Sequence, residues 1–316
     1  MARRSVSCAV ALFTVLGLSG VAGAGGQREV TAASSQTLPA GHVVQEFTQG
    51  GITVRTIGAR ALSSLQLIAL DLGGPHGSLE IGSRPESTSE TTGGAPVMTA
   101  VDSLTALGVD PVVAQRDFGD FDSPAGAAAS SVRLASFQDP ALTSPIAPAV
   151  TVSSTVPLET RCYSWNGVAG GHIWGQACSS VYVVGANGAD WQLQNKYKAT
   201  AWSDDTSLFP VRINGLRGSI SVGSGNTVVD WDPNTTTTVN SCGLMTFGVS
   251  AVGNVSLTVQ VCPTKIAPFN LTLTSSGANW TGVERDNDPV GVGGWQQVHK
   301  PSSATWSWST SYLVSW

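Results

Sequence analysis

The chain has 316 residues, of which 41% are hydrophobic and only 12% charged, and its formal net charge is −5. That charged fraction is about half the ~25% of an average soluble domain, so the polar surface must come from Ser, Thr, Asn, Gln and Gly. The acidic balance excludes a nucleic-acid binder built on a basic stripe, and no apolar run beyond the first 24 residues approaches the ~20 residues of a spanning helix.

Residues 1–24 place Arg3 and Arg4 before an apolar stretch from Ala9 to Leu18, followed by Ala22-Gly23-Ala24. This order of positive, apolar and small residues is that of a secretory signal peptide, so the chain is expected to be exported. Cys8 precedes the apolar stretch instead of ending it, which does not fit a lipid-anchored cysteine. An excess of 12 Arg over 4 Lys, with abundant Ala, Gly and Val, suits a GC-rich bacterial source.

Residues 25–48 are rich in Ala, Ser, Gly and Gln without periodicity and read as a flexible N-terminus. Residues 49–135 read as a small α/β unit. Ile52 to Ile57 alternates like a strand, and Leu65 to Leu72 is an apolar run closed by Gly73-Gly74-Pro75. Ser78 to Ile81 is a further short strand. Val97, Val101, Leu104 and Leu107 recur at helical spacing and stop at Gly108. Val112-Val113-Ala114 is expected to begin one more strand, running into Arg116-Asp117-Phe118-Gly119-Asp120-Phe121-Asp122.

Asp117, Asp120 and Asp122 put three carboxylates within six residues, a density that suits glycoside hydrolysis or a hard cation. Val112-Val113-Ala114 leading to Gly119-Asp120-Phe121-Asp122, with LDLGGPHGSLEI upstream, resembles the strand-into-NGDFF segment of secreted phosphodiester glycosidases. The resemblance covers about residues 50–125, departs from the family at the Asn position, and implies a hydrolase using these three carboxylates.

Residues 136–157 are proline-rich and poor in charge, as in an extended linker. All ten Trp, all four Tyr and four of the five Cys lie beyond residue 161. Residues 158–316 read as strands throughout: Ser180–Val184, Trp191–Trp202, Ser219–Val222, Val228–Asp232, Met245–Val252, Val255–Val261 and Asn270–Thr274. Gly, Asn, Asp and Pro clusters separate them, which predicts an antiparallel β-sandwich of jelly-roll or Ig-like type. Val255, Leu257, Val259 and Val261 alternate with Asn254, Ser256, Thr258 and Gln260, the pattern of a half-buried antiparallel strand.

Cys162, Cys178, Cys242 and Cys262 form an even set in an exported chain, which favours two disulfides over metal ligation. Three pairings are open. Cys162–Cys178 and Cys242–Cys262 are preferred because each pair brackets about one strand–turn–strand.

The C-terminal strand carries Trp306, Trp308, Thr310, Tyr312, Val314 and Trp316 on one face, and Ser307, Ser309, Ser311 and Ser315 on the other. The aromatic face has three readings: sandwich core, a platform for sugar rings, or a lipid-facing strand, since it resembles the last strand of outer-membrane barrels. His172, after Gly170-Gly171 and before Ile173-Trp174, is a candidate ligand contact, together with Trp174. Asp230 with Asp232, and Asp286 with Asp288, are candidate calcium donors, although calcium takes six to eight oxygens and neither loop supplies that many. No other cofactor is expected. The zinc-protease, serine-hydrolase and P-loop signatures are missing from the sequence.

These features together predict a secreted, non-catalytic protein that binds a polysaccharide or cell-surface ligand through Trp306, Trp308, Tyr312 and Trp316. The alternatives are a hydrolase using the Asp117/Asp120/Asp122 cluster and a β-rich membrane-inserting protein.

Overall fold

The computed structural model describes residues 28–70, 76–84, 86–87, 97–122, 157–187, 190–204, 211–239, 243–247, 257–261, 264–284 and 289–316. The signal peptide expected at 1–24 lies outside them, as does the 136–157 linker except for Pro157. In chain order come β1 (Arg28–Val30), β2 (Ser34–Thr37), β3 (Val43–Gln49), β4 (Ile52–Gly58), β5 (Leu65–Leu70), β6 (Ser78–Ser83) and β7 (Glu86–Ser87). Two helices follow, α1 (Ala100–Ala106) and α2 (Pro111–Phe118). After them run β8 (Glu159–Val168), β9 (Ile173–Asn187), β10 (Asp190–Ser203), β11 (Gly215–Val222), β12 (Thr227–Asp232) and β13 (Thr237–Val239). The last six strands are β14 (Gly243–Phe247), β15 (Leu257–Val261), β16 (Thr264–Thr272), β17 (Ser275–Gly282), β18 (Val290–Lys300) and β19 (Ser307–Ser315).

These strands build two large antiparallel sheets in a sandwich-like arrangement. The nine-stranded sheet has the order β1-β5-β6-β19-β11-β17-β16-β13, with β7 also paired to β19. The eight-stranded sheet has the order β12-β18-β10-β9-β8-β4-β3-β2. Their inner faces share a core that includes Phe47, Tyr163, Tyr197, Trp280 and Tyr312. Hydroxyls at this interface find partners, as buried polar groups must. Tyr163 and Thr310 hydroxyls bond at 3.0 Å, Tyr312 donates to the Cys178 carbonyl at 3.2 Å, and Ser276 donates to Gln296 Oε1 at 2.8 Å.

Strands expected at Ile52–Ile57, Leu65–Leu72, Ser78–Ile81 and Trp191–Trp202 are β4, β5, β6 and β10 within a few residues at their ends. The expected flexible N-terminus is corrected where it is described: residues 28–48 contain β1, β2 and most of β3. Nor does the segment 49–135 stand apart as its own unit. β4 pairs with β8, and β6 pairs with β19 at the far end of the chain, so early strands sit inside both sheets. β4 and β6 bury apolar residues, Ile52, Val54 and Ile57 on the first and Leu79 and Ile81 on the second, beside later strands, and closing a longer loop costs entropy that grows only slowly with its length. The aromatic boundary near residue 160 therefore marks a change in side-chain size, not the end of a sheet.

The strand expected at Val112-Val113-Ala114 is the first turn of α2. Asp110 accepts from the backbone N–H of Val112 at 2.8 Å and of Val113 at 3.3 Å, and Pro111 occupies the first helical position. An acidic cap followed by proline is a helix start, and it outweighs a three-residue apolar run. The strand lead-in that supported the glycosidase resemblance is thus a helix. Helix α1 lies where the spacing of Val97 to Leu107 placed it, and Gly108 ends it with φ of 86°.

Cys162 and Cys178 are cross-strand partners on β8 and β9 and form a disulfide. Cys242 and Cys262 lie outside the described residues.

Candidate functional site

The C-terminal aromatic face is core. Trp306, Trp308, Tyr312 and Trp316 retain only 5%, 1%, 1% and 2% of their surface, so the expected sugar platform on this face is corrected. β19 alternates as expected, but the face turned outward is the serine face. There, Gln66, Glu80, Gly82, Arg84, Ser309 and Ser311 line an open polar cleft of about 230 Å³. Glu80 accepts from Ser311 Oγ at 2.6 Å, while Arg84 is held by Glu29 at 2.6 Å.

His172 and Trp174 are both half-buried. His172 Nδ1 bonds Asp204 Oδ1 at 2.6 Å, and Trp174 faces the half-buried Trp202 across β9 and β10. These four residues gather at one end of the sandwich. Glu284 secures the same end by accepting from Ser203 N–H at 2.8 Å, Ser203 Oγ at 2.6 Å and Ile213 N–H at 3.1 Å. Burial pushes the Glu284 carboxyl upward, against the hydrogen bonds that pull it down.

The acidic cluster is divided among separate partners. Asp117 is buried and takes Arg116 Nε at 2.6 Å, Gln176 Nε2 at 2.8 Å and Thr200 Oγ1 at 3.4 Å. Asp120 is exposed and meets Lys198 Nζ at 3.3 Å. Asp122 accepts from the Ala100 N–H at the start of α1. Beside it, Lys196 Nζ donates to the Phe121 carbonyl at 2.7 Å and lies 5.5 Å from the Phe121 ring. These contacts clasp α2 and the following turn onto β9 and β10. Desolvation lowers both lysines, Lys196 to about 8, and raises Asp122.

Asp230 and Asp232 lie on β12, where Asp230 Oδ1 accepts from the Trp231 N–H at 2.9 Å; Asp286 and Asp288 lie outside the described residues. Among the described residues, no three His, Cys, Asp or Glu side chains are grouped to hold a metal ion.

A different feature stands out once the strands are paired. β14 and β15 form a two-stranded sheet that belongs to neither large sheet. The chain runs out through β13 and β14 and back through β15 and β16, with β13 paired to β16 at the edge of the nine-stranded sheet. The register places Met245 opposite Val259 and Phe247 opposite Leu257 on one face of the hairpin. Thr246 opposite Thr258 and Leu244 opposite Gln260 share the other. The hairpin packs along β18 and touches β10. Its root is near the Trp174–Trp202 end, because Thr264 at the start of β16 pairs with Gly282, two residues before Glu284.

The alternation of Val255 to Val261 suits a strand of the sandwich, whereas Leu257–Val261 is β15 of this separate pair. One signal would have separated it: residues 233–264 contain no Asp, Glu, Lys, Arg or His, the longest uncharged stretch of the chain.

No family model and no curated protein matches the chain. Among solved structures, it is similar to one titled "Pore forming protein", with 8% identity and a TM-score of 0.30, over 53% of this chain and 86% of that one. It is also similar to Clostridium perfringens delta-toxin, with 10% identity and a TM-score of 0.30, over 50% of this chain and 82% of that one. A TM-score of 0.30 does not establish a common fold, so function rests on the chain's own residues.

Proposed function

We propose that the chain is an exported protein that inserts the β14–β15 hairpin into a lipid bilayer. The supporting observation is the hairpin itself: an uncharged pair of strands hydrogen-bonded to neither large sheet, with Met245, Phe247, Leu257 and Val259 on one face and, beside Leu244, the polar Thr246, Thr258 and Gln260 on the other. A lipid-exposed face must be apolar, and the opposite face of a barrel wall lines water, so alternation with period two suits both. A charged Lys or Arg at the bilayer midplane costs about 2–4 kcal/mol, a penalty this segment does not incur. The uncharged sequence from Gly243 to Val261 is 19 residues long, enough for two strands of nine. A tilted membrane strand needs ~9–11 residues.

A lone hairpin has two unpaired edges, and lipid offers them no hydrogen bonds. Insertion therefore requires several copies of the chain, each giving one hairpin to a closed barrel. Trp174 and Trp202, at the root end, have the amphipathic rings that settle at a bilayer–water interface. Export brings an oxidising compartment, and we assign the second disulfide to Cys242–Cys262. Their neighbours Gly243 and Val261 are already cross-strand partners, as Cys162 and Cys178 are.

A second reading, binding of a neutral polyhydroxyl ligand, is favoured by the cleft on the serine face. Its carboxylate, amide, guanidinium and hydroxyl groups offer both donors and acceptors. This moves the expected carbohydrate site from the aromatic face of β19 to the opposite one, and it is compatible with a target-recognition step before insertion.

The test is dye release from liposomes by the oxidised mature protein, wild type against Leu257→Lys and Val259→Lys. Release by wild type and at least a tenfold loss in both variants, with near-UV circular dichroism unchanged, is expected. No release by wild type from neutral, anionic or natural-lipid vesicles, or undiminished release by the lysine variants, would overturn the proposal.

A further inference from the structure

The surface on which the hairpin lies has its own chemistry. β18 and β10 turn one face toward β11 and β17 of the opposite sheet, where Gln296 is held by Ser276. On the other face, Gln194 of β10 stands opposite Gln297 of β18, and in the next row Lys196 stands opposite Trp295. All four are at least 97% buried. Lys196 has its carbonyl acceptor on Phe121. Among the described residues, however, neither amide atom of Gln194, neither amide atom of Gln297, nor Trp295 Nε1 has a hydrogen-bond partner. Five polar atoms on adjacent register positions are thus dehydrated and unmatched.

Apart from in-sheet neighbours and the facing strands β11 and β17, the described elements that pack most on β18 are β15 and β14, and β15 reaches β10 as well. We infer that the docked hairpin is a metastable cover over this polar bed, kept ready to leave. A buried donor or acceptor without a partner carries its full desolvation cost for as long as it stays covered. Departure of β14–β15 lets water reach Gln194, Gln297 and Trp295, so hydration of the bed favours the released hairpin. A bed of Leu or Val in these places would hold the hairpin down. The inference rests on the reading of β14–β15 as the inserting element, and it supplies that element's control: release is driven partly by the surface left behind.

The experiment is hydrogen–deuterium exchange on the oxidised mature protein in solution without lipid, read at the β14 and β15 peptides. It compares wild type with Gln194→Met/Gln297→Met, which keeps side-chain length and removes the unmatched amides. The double variant should slow exchange of the hairpin amides by about tenfold or more and leave β8 and β9 unchanged. It should slow dye release from liposomes in proportion. Gln297→Glu, which adds a charge to the bed, should move both readouts the other way. If the double variant does not fold, the single Gln→Met variants carry the test with a threefold or larger slowing. Hairpin exchange that is the same in wild type, Gln→Met and Gln297→Glu proteins would overturn the inference, even if wild type opens vesicles. Slower exchange in a protein that never opens vesicles would support the metastable cover and overturn the membrane reading alone.

Discussion

Glu159 on β8 and Trp308 on β19 meet across the sandwich, where the indole Nε1 donates to Glu159 Oε2 at 3.2 Å. The other carboxylate oxygen accepts from Arg161 Nη2 at 2.9 Å, and the guanidinium lies 5.2 Å from the centre of the Trp308 ring. A buried ion pair survives desolvation only when its remaining hydrogen-bonding capacity is met, and here an aromatic core residue meets part of it. Trp308 therefore both fills the interior and satisfies a buried charge.

Trp308→Ala should destabilise the protein by about 3–5 kcal/mol, because it opens a cavity and removes a donor from Glu159. Urea unfolding followed by fluorescence of the other tryptophans checks this. A loss below about 1 kcal/mol would show that the ring is not part of the core.

Both disulfides should form in the protein under oxidising conditions. Non-reducing peptide mapping should recover Cys162–Cys178 and Cys242–Cys262 and no mixed pairs. Cys162→Ala/Cys178→Ala should cost about 3 kcal/mol, the loop-closure value for a bridge of this span. A mixed pairing would contradict the β14–β15 register.

Lys196 sets a pH dependence. Burial lowers it to about 8, opposed by the charges of Asp122 and Asp120 and assisted by Lys198. In the unfolded chain a lysine stays protonated up to ~10.4. Between these two values the unfolded state binds more protons, so stability rises with pH across that window and the destabilisation by Lys196 is fully present below it. Urea midpoints should increase from pH 8 to pH 10 relative to Lys196→Met, which loses Lys196's share of the rise and keeps that of Lys198. Parallel curves for the two proteins would show that Lys196 is not desolvated.

Trp174 and Trp202 should matter to vesicle binding more than to stability, because both rings remain half-buried at the root end of the hairpin. Trp174→Ala/Trp202→Ala should reduce co-flotation with liposomes by about tenfold, the loss expected when two interfacial rings are removed. Its urea midpoint should stay close to that of wild type. Undiminished flotation would overturn a role for these two rings at a bilayer surface.

Much of the local structure was written in the sequence. Alternation marked β4, β10 and β19, the helical spacing before Gly108 marked α1, and the cysteine spacing marked the Cys162–Cys178 bridge. These are properties of a few consecutive residues, or of a pair joined by one turn. At Val112-Val113-Ala114 the deciding signal is also local: β-branched residues suggest a strand, but the Asp110-Pro111 cap before them starts a helix.

The candidate site was only half legible. Val255 to Val261 displayed two faces, but an alternating strand reads the same inside a sandwich and in a detached hairpin. Likewise, period-two alternation alone gives β19 an aromatic and a serine face, whereas the packing of two sheets puts the aromatics inside. It also decided that β4 lies beside β8, that Asp120 meets Lys198 while Lys196 bonds the Phe121 carbonyl, and that unmatched Gln194 and Gln297 share one face of the sheet. The reason is physical. Period-two geometry fixes which side chains share a face, whereas which face is covered depends on partners distant in the chain and on the competition among all strands for one interior.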